Sequence, residues 1–159
     1  MYPDNLLQSA LVDEIMGAVE DLFPLLVPYF VEKDADKRKA LAAAAMGEGK
    51  LPYWYSKFEQ RLTENEAKGF KSGFFVGDKM TVADLKVFTG MTFTDGLDDF
   101  DMATLLKDLP KSAAFWAMMK DHGEILAFNA AFKAQQEKTA ANADDNVHVR
   151  KGKNVYIAK

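Results

Sequence analysis

The chain has 159 residues, 48% hydrophobic and 28% charged, the size and composition of one globular domain with a core of its own. Its net charge of −4 hides an asymmetry: residues 1–145 carry all 24 acids against 16 bases, while the last 14 residues carry four cations and no acid. An acidic body repels phosphates and excludes nucleic acid as a partner, and zero cysteines exclude a disulfide framework, a thiol nucleophile and Cys-type metal sites.

The most apolar stretch, Leu22 to Val31, is too short for a bilayer and is broken by Pro24 and Pro28, so no membrane span is expected. Met1-Tyr2-Pro3-Asp4 lacks the basic start of a secretory signal, and a cytoplasmic or other reducing compartment is expected.

In chain order, the first element is a helix from about Asn5 to Phe30. Leu7, Leu11, Ile15, Val19, Leu22 and Leu26 recur at helical spacing, and Pro24 and Pro28 should kink or break its far end. Asp34 or Asp36 can cap a second helix through the Ala40–Ala45 run, stopped by Gly47 and Gly49. A third, from about Pro52 to Asn65, places Leu51, Tyr55, Phe58 and Leu62 on one side. After a glycine-rich aromatic loop, Gly69 to Asp78, the segment Met80-Thr81-Val82-Ala83-Asp84-Leu85 predicts a capping box of Thr81 and Asp84 with Met80 and Leu85 as its hydrophobic staple. That helix should continue through Val87, Phe88, Met91 and Phe93. An acidic connector, Asp95 to Asp101, leads to a helix near Met102. Pro110 or Ser112 opens another, carrying Phe115, Met118, Met119, Ile125, Leu126 and Phe128.

Beyond about Lys138 the apolar period stops, so residues 2–137 are read as the helical domain and 138–159 as linker and basic tail. Val147-His148-Val149 and Val155-Tyr156-Ile157 alternate at period two, the pattern of a short strand or hairpin that could add to a partner's sheet edge, against the plainer alternative of a solubilising end. The fold class is all-α, a bundle of about five or six helices.

Gly77-Asp78-Lys79-Met80-Thr81-Val82-Ala83-Asp84-Leu85 resembles the buried capping-box motif of the glutathione S-transferase C-terminal domain. Val12-Asp13-Glu14-Ile15 with Val19-Glu20-Asp21 resembles that domain's first helix, above all in the sigma class. Leu51 to Leu62 resembles its second helical arm and Leu109 to Phe128 its terminal helices. The resemblance covers residues 2–132. In that family a thioredoxin-like domain precedes the helical one, binds glutathione and activates its thiol. Tyr2-Pro3-Asp4 resembles the connector that follows it, and no βαβ pattern stands before it here.

The resemblance implies site residues. Glu20 and Asp21 match an acidic pair that reaches across the dimer toward the partner's glutathione amino group, where a carboxylate and an ammonium form a charge-assisted hydrogen bond. The bland alternative is a solvated helix face. Met16, Phe23 and Val27 match the wall of the pocket for apolar electrophiles, against an alternative as plain core. Thr81 and Asp84 are fold residues that satisfy a buried helix N-terminus. No metal is expected: some sigma members bind magnesium near the acidic pair, but Gly17 stands where a third acid would be needed. Asp95, Asp98, Asp99 and Asp101 lack calcium-loop spacing, and His122 and His148 have no companion ligand or nucleophile.

Two functions follow. The first is the substrate-binding and dimerisation half of a sigma-like transferase that conjugates glutathione thiolate, as co-substrate, to apolar electrophiles. The second is a non-catalytic interaction or assembly subunit of a larger complex. The expected partners are a thioredoxin-like domain or second subunit, in a homodimer or larger assembly, and the chain alone is expected to be inactive. A domain built to lean on such a half should expose an apolar patch on the order of several hundred Å² when alone, where a stand-alone module should be polar.

Overall fold

The computed structural model describes residues 1–47 and 49–141. Among the described residues there are seven helices and no strand: α1 (Leu6–Val31), α2 (Ala35–Ala45), α3 (Leu51–Ala67), α4 (Val82–Asp95), α5 (Met102–Leu106), α6 (Pro110–Lys120) and α7 (Gly123–Ala141). The central packing is α1 against α4, flanked by α2 and α3. α3 in turn packs on α5 and α6, and α7 packs on α6. None of these helices is long and apolar enough to cross a membrane.

Helix α1 begins where the Asn5 carboxamide accepts from the backbone N–H groups of Leu7 and Gln8, donors that no preceding turn can pair. Its buried face is Val12, Ile15, Val19, Leu22, Leu26 and Tyr29. Leu11 is only partly buried and Leu7 is exposed, so the core stripe starts a turn later than the spacing suggests. Pro24 and Pro28 do not break the helix, which runs uninterrupted to Val31. Each proline forfeits one backbone donor, but Leu22, Leu26 and Tyr29 on either side of them are buried. The Tyr29 hydroxyl donates to Asp99 at 3.0 Å, and its ring meets Phe100 edge-on at 5.1 Å. Tertiary contact holds the far end that local propensity would release.

The stretch from Pro110 to Phe128, read as one helix, is two. α6 stops at Lys120, and α7 starts at Gly123, a poor helix former. α7 then runs to Ala141, so helix continues past Lys138, where the composition changes. The strand signals at 147–149 and 155–157 lie outside the described residues.

Helix starts are secured by side chains. Asp34, rather than Asp36, caps α2 by accepting from Lys37 N–H at 2.9 Å. Asp101 caps α5 through Ala103 N–H and the Thr104 hydroxyl, so this part of the acidic connector serves as a cap. Glu59, on α3, reaches the start of α6, where its carboxylate accepts from Lys111 N–H at 3.0 Å and Ser112 N–H at 2.7 Å. It brings negative charge to a helix N-terminus, where charge of that sign is stabilising.

The capping box of Thr81 and Asp84 forms as the sequence indicates. The fully buried Asp84 carboxylate accepts from Thr81 N–H at 2.7 Å, the Thr81 hydroxyl at 2.8 Å and, across the loop, Phe75 N–H at 2.8 Å. Burial pushes its carboxyl above the usual aspartate range, and these hydrogen bonds partly offset the shift. A second buried polar residue, Asn65, completes the loop. Its amide donates to the carbonyls of Phe74 and Gly77 at 2.9 and 2.8 Å, and its oxygen accepts from Gly77 N–H at 2.9 Å. Gly77 sits at φ 70°, a left-handed conformation suited to glycine. The loop thereby delivers Phe75 between Phe58 and Phe115, at ring separations of 6.0 and 4.8 Å.

Candidate functional site

Successive residues on a helix point about 100° apart, and this separates the acidic pair on α1. Glu20 turns toward α4 and forms an ion pair with Lys86. Asp21 turns the other way, into a groove of about 520 Å³ between α1 and α3 that is also lined by Tyr53, Trp54, Lys57 and Arg61. The two carboxylates therefore belong to different surfaces. Arg61 pairs with Glu14 of α1 and with Glu64 at 2.7 Å, so one wall of this groove is tied to the other.

The Glu20 side of α1 holds the apolar candidates. Met16, Glu20, Phe23, Val27 and Phe30 recur at steps of four and three, one stripe along the helix. Met16 and Phe23 are partly buried against the core. Val27 is 51% exposed and Phe30 60% exposed. On α4, Lys86, Gly90 and Phe93 form the matching stripe. The two helices run side by side in the same direction: Glu20 meets Lys86, and Phe23 meets Phe93 edge-on at 5.7 Å. Phe30 leans on the same Phe93 ring at 5.9 Å. Gly90 lets the backbones approach, since a Cβ there would sit 3.3 Å from Val19 Cγ1. Phe30, Phe93 and Lys86 were not read as site residues from the sequence. The signal available was the heptad from Lys86 to Phe93 and the continuation of α1's stripe past Val27.

Gly17 faces open space, with no atom within 4 Å of where its Cβ would stand. Among the described residues no group of three or more His, Asp or Glu is placed to hold a metal ion. The tyrosines whose acidity is perturbed are all held in the neutral form. Burial raises Tyr55 and Tyr29, the latter helped by its bond to Asp99, and the bond to Asp13 raises Tyr2. None of these three is tuned toward the anionic form that would serve as a base.

A second apolar groove, of about 580 Å³, lies between α4 and α7. Its walls include Met80 and Leu85, the two staple residues, with Phe88, Ile125, Phe128 and Phe132. Phe128 and Leu126, expected from their spacing to share a buried helix face with Phe115, are 67% and 51% exposed, and Phe128 stacks on Phe132 at 6.1 Å.

Neither the curated proteins nor the solved structures include a match to this chain. The family model described as "Glutathione S-transferase, C-terminal domain" matches residues 20–132. That span runs from the acidic pair of α1 through the buried capping box to Phe132 in the middle of α7, and the chain belongs to the glutathione S-transferase C-terminal domain family.

Proposed function

We propose that the chain is the electrophile-binding and dimer-forming half of a sigma-like glutathione transferase. The observation that carries this reading is the division of α1 into two functional faces. One is the apolar stripe of partly buried Phe23 and exposed Val27 and Phe30, walled by Phe93. The other is the Asp21 face, opening into a groove beside Trp54 and Tyr53. Apolar electrophiles need greasy walls to leave water, and glutathione's ammonium needs a free carboxylate. Asp21 suits that contact across a dimer better than Glu20, which Lys86 already holds.

The thiol chemistry would come from a thioredoxin-like domain, because the described residues are all helical between turns and loops. The apolar α4–α7 groove is the kind of surface that would lie against such a domain. Glutathione is then co-substrate rather than resident cofactor. The chain's part in conjugation is to hold the electrophile, exclude water from it and present Asp21 to the partner's glutathione.

The test is glutathione conjugation to a model electrophile, measured for this chain alone and for the native protein purified from its source. The chain alone should match a heat-killed control, and the native protein should be active. Conjugation by the 159 residues alone would sink the division of labour. An inactive native protein would favour the interaction-subunit alternative.

A further inference from the structure

A cavity of about 280 Å³ opens where the end of α3, the loop before α4 and α6 meet. It uses no residue of α1 and stands apart from the surfaces assigned above. Lys111, Ala114 and Met118 reach it from one face of α6, and Glu66 from α3. The partly buried rings of Phe70 and Phe74 form the loop wall. That wall is fixed before any ligand arrives. Asn65 donates to the Phe74 carbonyl at 2.9 Å, and the Ser72 hydroxyl donates to the Gly77 carbonyl at 3.1 Å and accepts from Phe74 N–H at 3.3 Å. Gly73, at φ 81°, brings the loop backbone up to α6, since a Cβ there would stand 3.4 Å from Met118 Sδ. Three charged side chains line the same cavity. Glu66 pairs with Lys111. That hydrogen bond holds its carboxyl below the usual glutamate range, and the charge of Lys71 adds to the effect. Glu66 is therefore an anion at neutral pH and cancels one of the two cations. Lys71 is exposed and, among the described residues, forms no ion pair of its own. One unspent positive charge is left beside an apolar cavity.

We propose that this cavity docks a partner protein through an aromatic side chain with one acidic residue next to it in sequence. The ring enters between Phe70, Phe74 and Met118, and the carboxylate faces Lys71. A ligand of drug size needs a pocket of roughly 300–1,000 Å³. This cavity is smaller, so it takes one side chain and leaves the rest of its owner outside, as a polypeptide would. A ring fits the walls, because aromatic faces and a thioether pack favourably on it. A single carboxylate fits the charge left over, whereas a phosphate dianion would meet Glu66. Because the loop wall is already held in place, the partner has little ordering to oppose.

Acetylated and amidated tripeptides that pair phenylalanine with aspartate, in either order, test it when titrated into the 159-residue chain. Binding is read from the NMR shift of the Met118 methyl. The better of the two should shift that methyl and bind about threefold tighter at low salt than its asparagine analogue. Lys71→Met should remove the difference and leave binding of the asparagine analogue unchanged. Ala114→Trp, which fills the cavity from the exposed side of α6, should weaken both peptides about tenfold. Both positions are exposed, so each variant should keep the unfolding midpoint of the parent chain. Equal binding of the aspartate and asparagine peptides would overturn the acidic partner. A Met118 methyl that no peptide moves would overturn the cavity as a docking site. Binding of 3-phenylpropionate as tight as that of the better peptide would overturn the protein partner in favour of a small aryl acid.

Discussion

Two buried polar side chains, Asn65 and Asp84, fold the loop between α3 and α4. Asn65 makes three hydrogen bonds to backbone groups of Phe74 and Gly77. Leucine at this position would leave those groups inside the protein without partners, so Asn65→Leu should cost about 3 kcal/mol in denaturant unfolding. Asp84→Ala strands Phe75 N–H and Thr81 N–H in the same way and should cost a similar amount, about 3 kcal/mol. Neither change should alter the helix content seen by circular dichroism below the transition. A loss under about 1 kcal/mol in either would contradict the roles assigned here.

The same residue scale gives a pH signature with two signs. Asp84's folded value is raised by burial, so the folded chain keeps a proton there over a window where the unfolded chain has lost it. Its contribution to stability therefore falls as pH rises through that window. Glu66 is held below the usual range, chiefly by its hydrogen bond from Lys111. Its contribution is present above the unfolded value and is lost as pH falls through the folded one. A carboxyl NMR titration should show Asp84 titrating above the ordinary aspartate value and Glu66 below the ordinary glutamate value. The opposite order would refute both attributions.

At the scale of elements, α1 is the part where tertiary contact decides most. A helix with prolines at positions 24 and 28 survives because the residues around them are buried and Tyr29 is anchored to the connector after α4. Leu26→Ala should remove much of that hold and cost about 3 kcal/mol, with the loss read from thermal or denaturant unfolding. The α1–α4 contact depends on the missing side chain of Gly90. Gly90→Leu would force a branched side chain against Val19 and should destabilise by about 2 kcal/mol, and an unchanged midpoint would show that the helices do not pack as described. Glu59→Ala removes the carboxylate that caps α6 from α3 and should cost about 1 kcal/mol.

At the scale of the whole molecule, the two faces of α1 and the groove between α4 and α7 give one small domain three surfaces with different chemistry. One is mixed in charge and holds Asp21. The other two expose aromatic and aliphatic side chains. Under the proposed function, the two apolar surfaces are those that would lie against another domain or an electrophile. In the native protein, Asp21→Asn should therefore raise the concentration of glutathione needed for conjugation, while Glu20→Gln should leave it nearly unchanged. Equal effects of the two changes would mean that the helix does not separate them as α1 does here.

The sequence by itself determined what depends on neighbours along the chain. The Thr81/Asp84 box, the apolar period of α1 and α3 and the Pro110 helix start were all legible because each is a local pattern of spacing and hydrogen-bonding groups. Family membership was legible for the same reason, since the capping segment is short and contiguous. What only the tertiary structure decided involves residues far apart. The survival of α1 through two prolines, the break at Asp121–His122, Glu59 capping a helix more than forty residues later and Asn65 holding the loop all depend on distant partners. The pairing of Glu20 with Lys86 is of the same kind. Two adjacent acids read as a unit in sequence, but they part in space because a helix turns about 100° between them and each face meets a different neighbour.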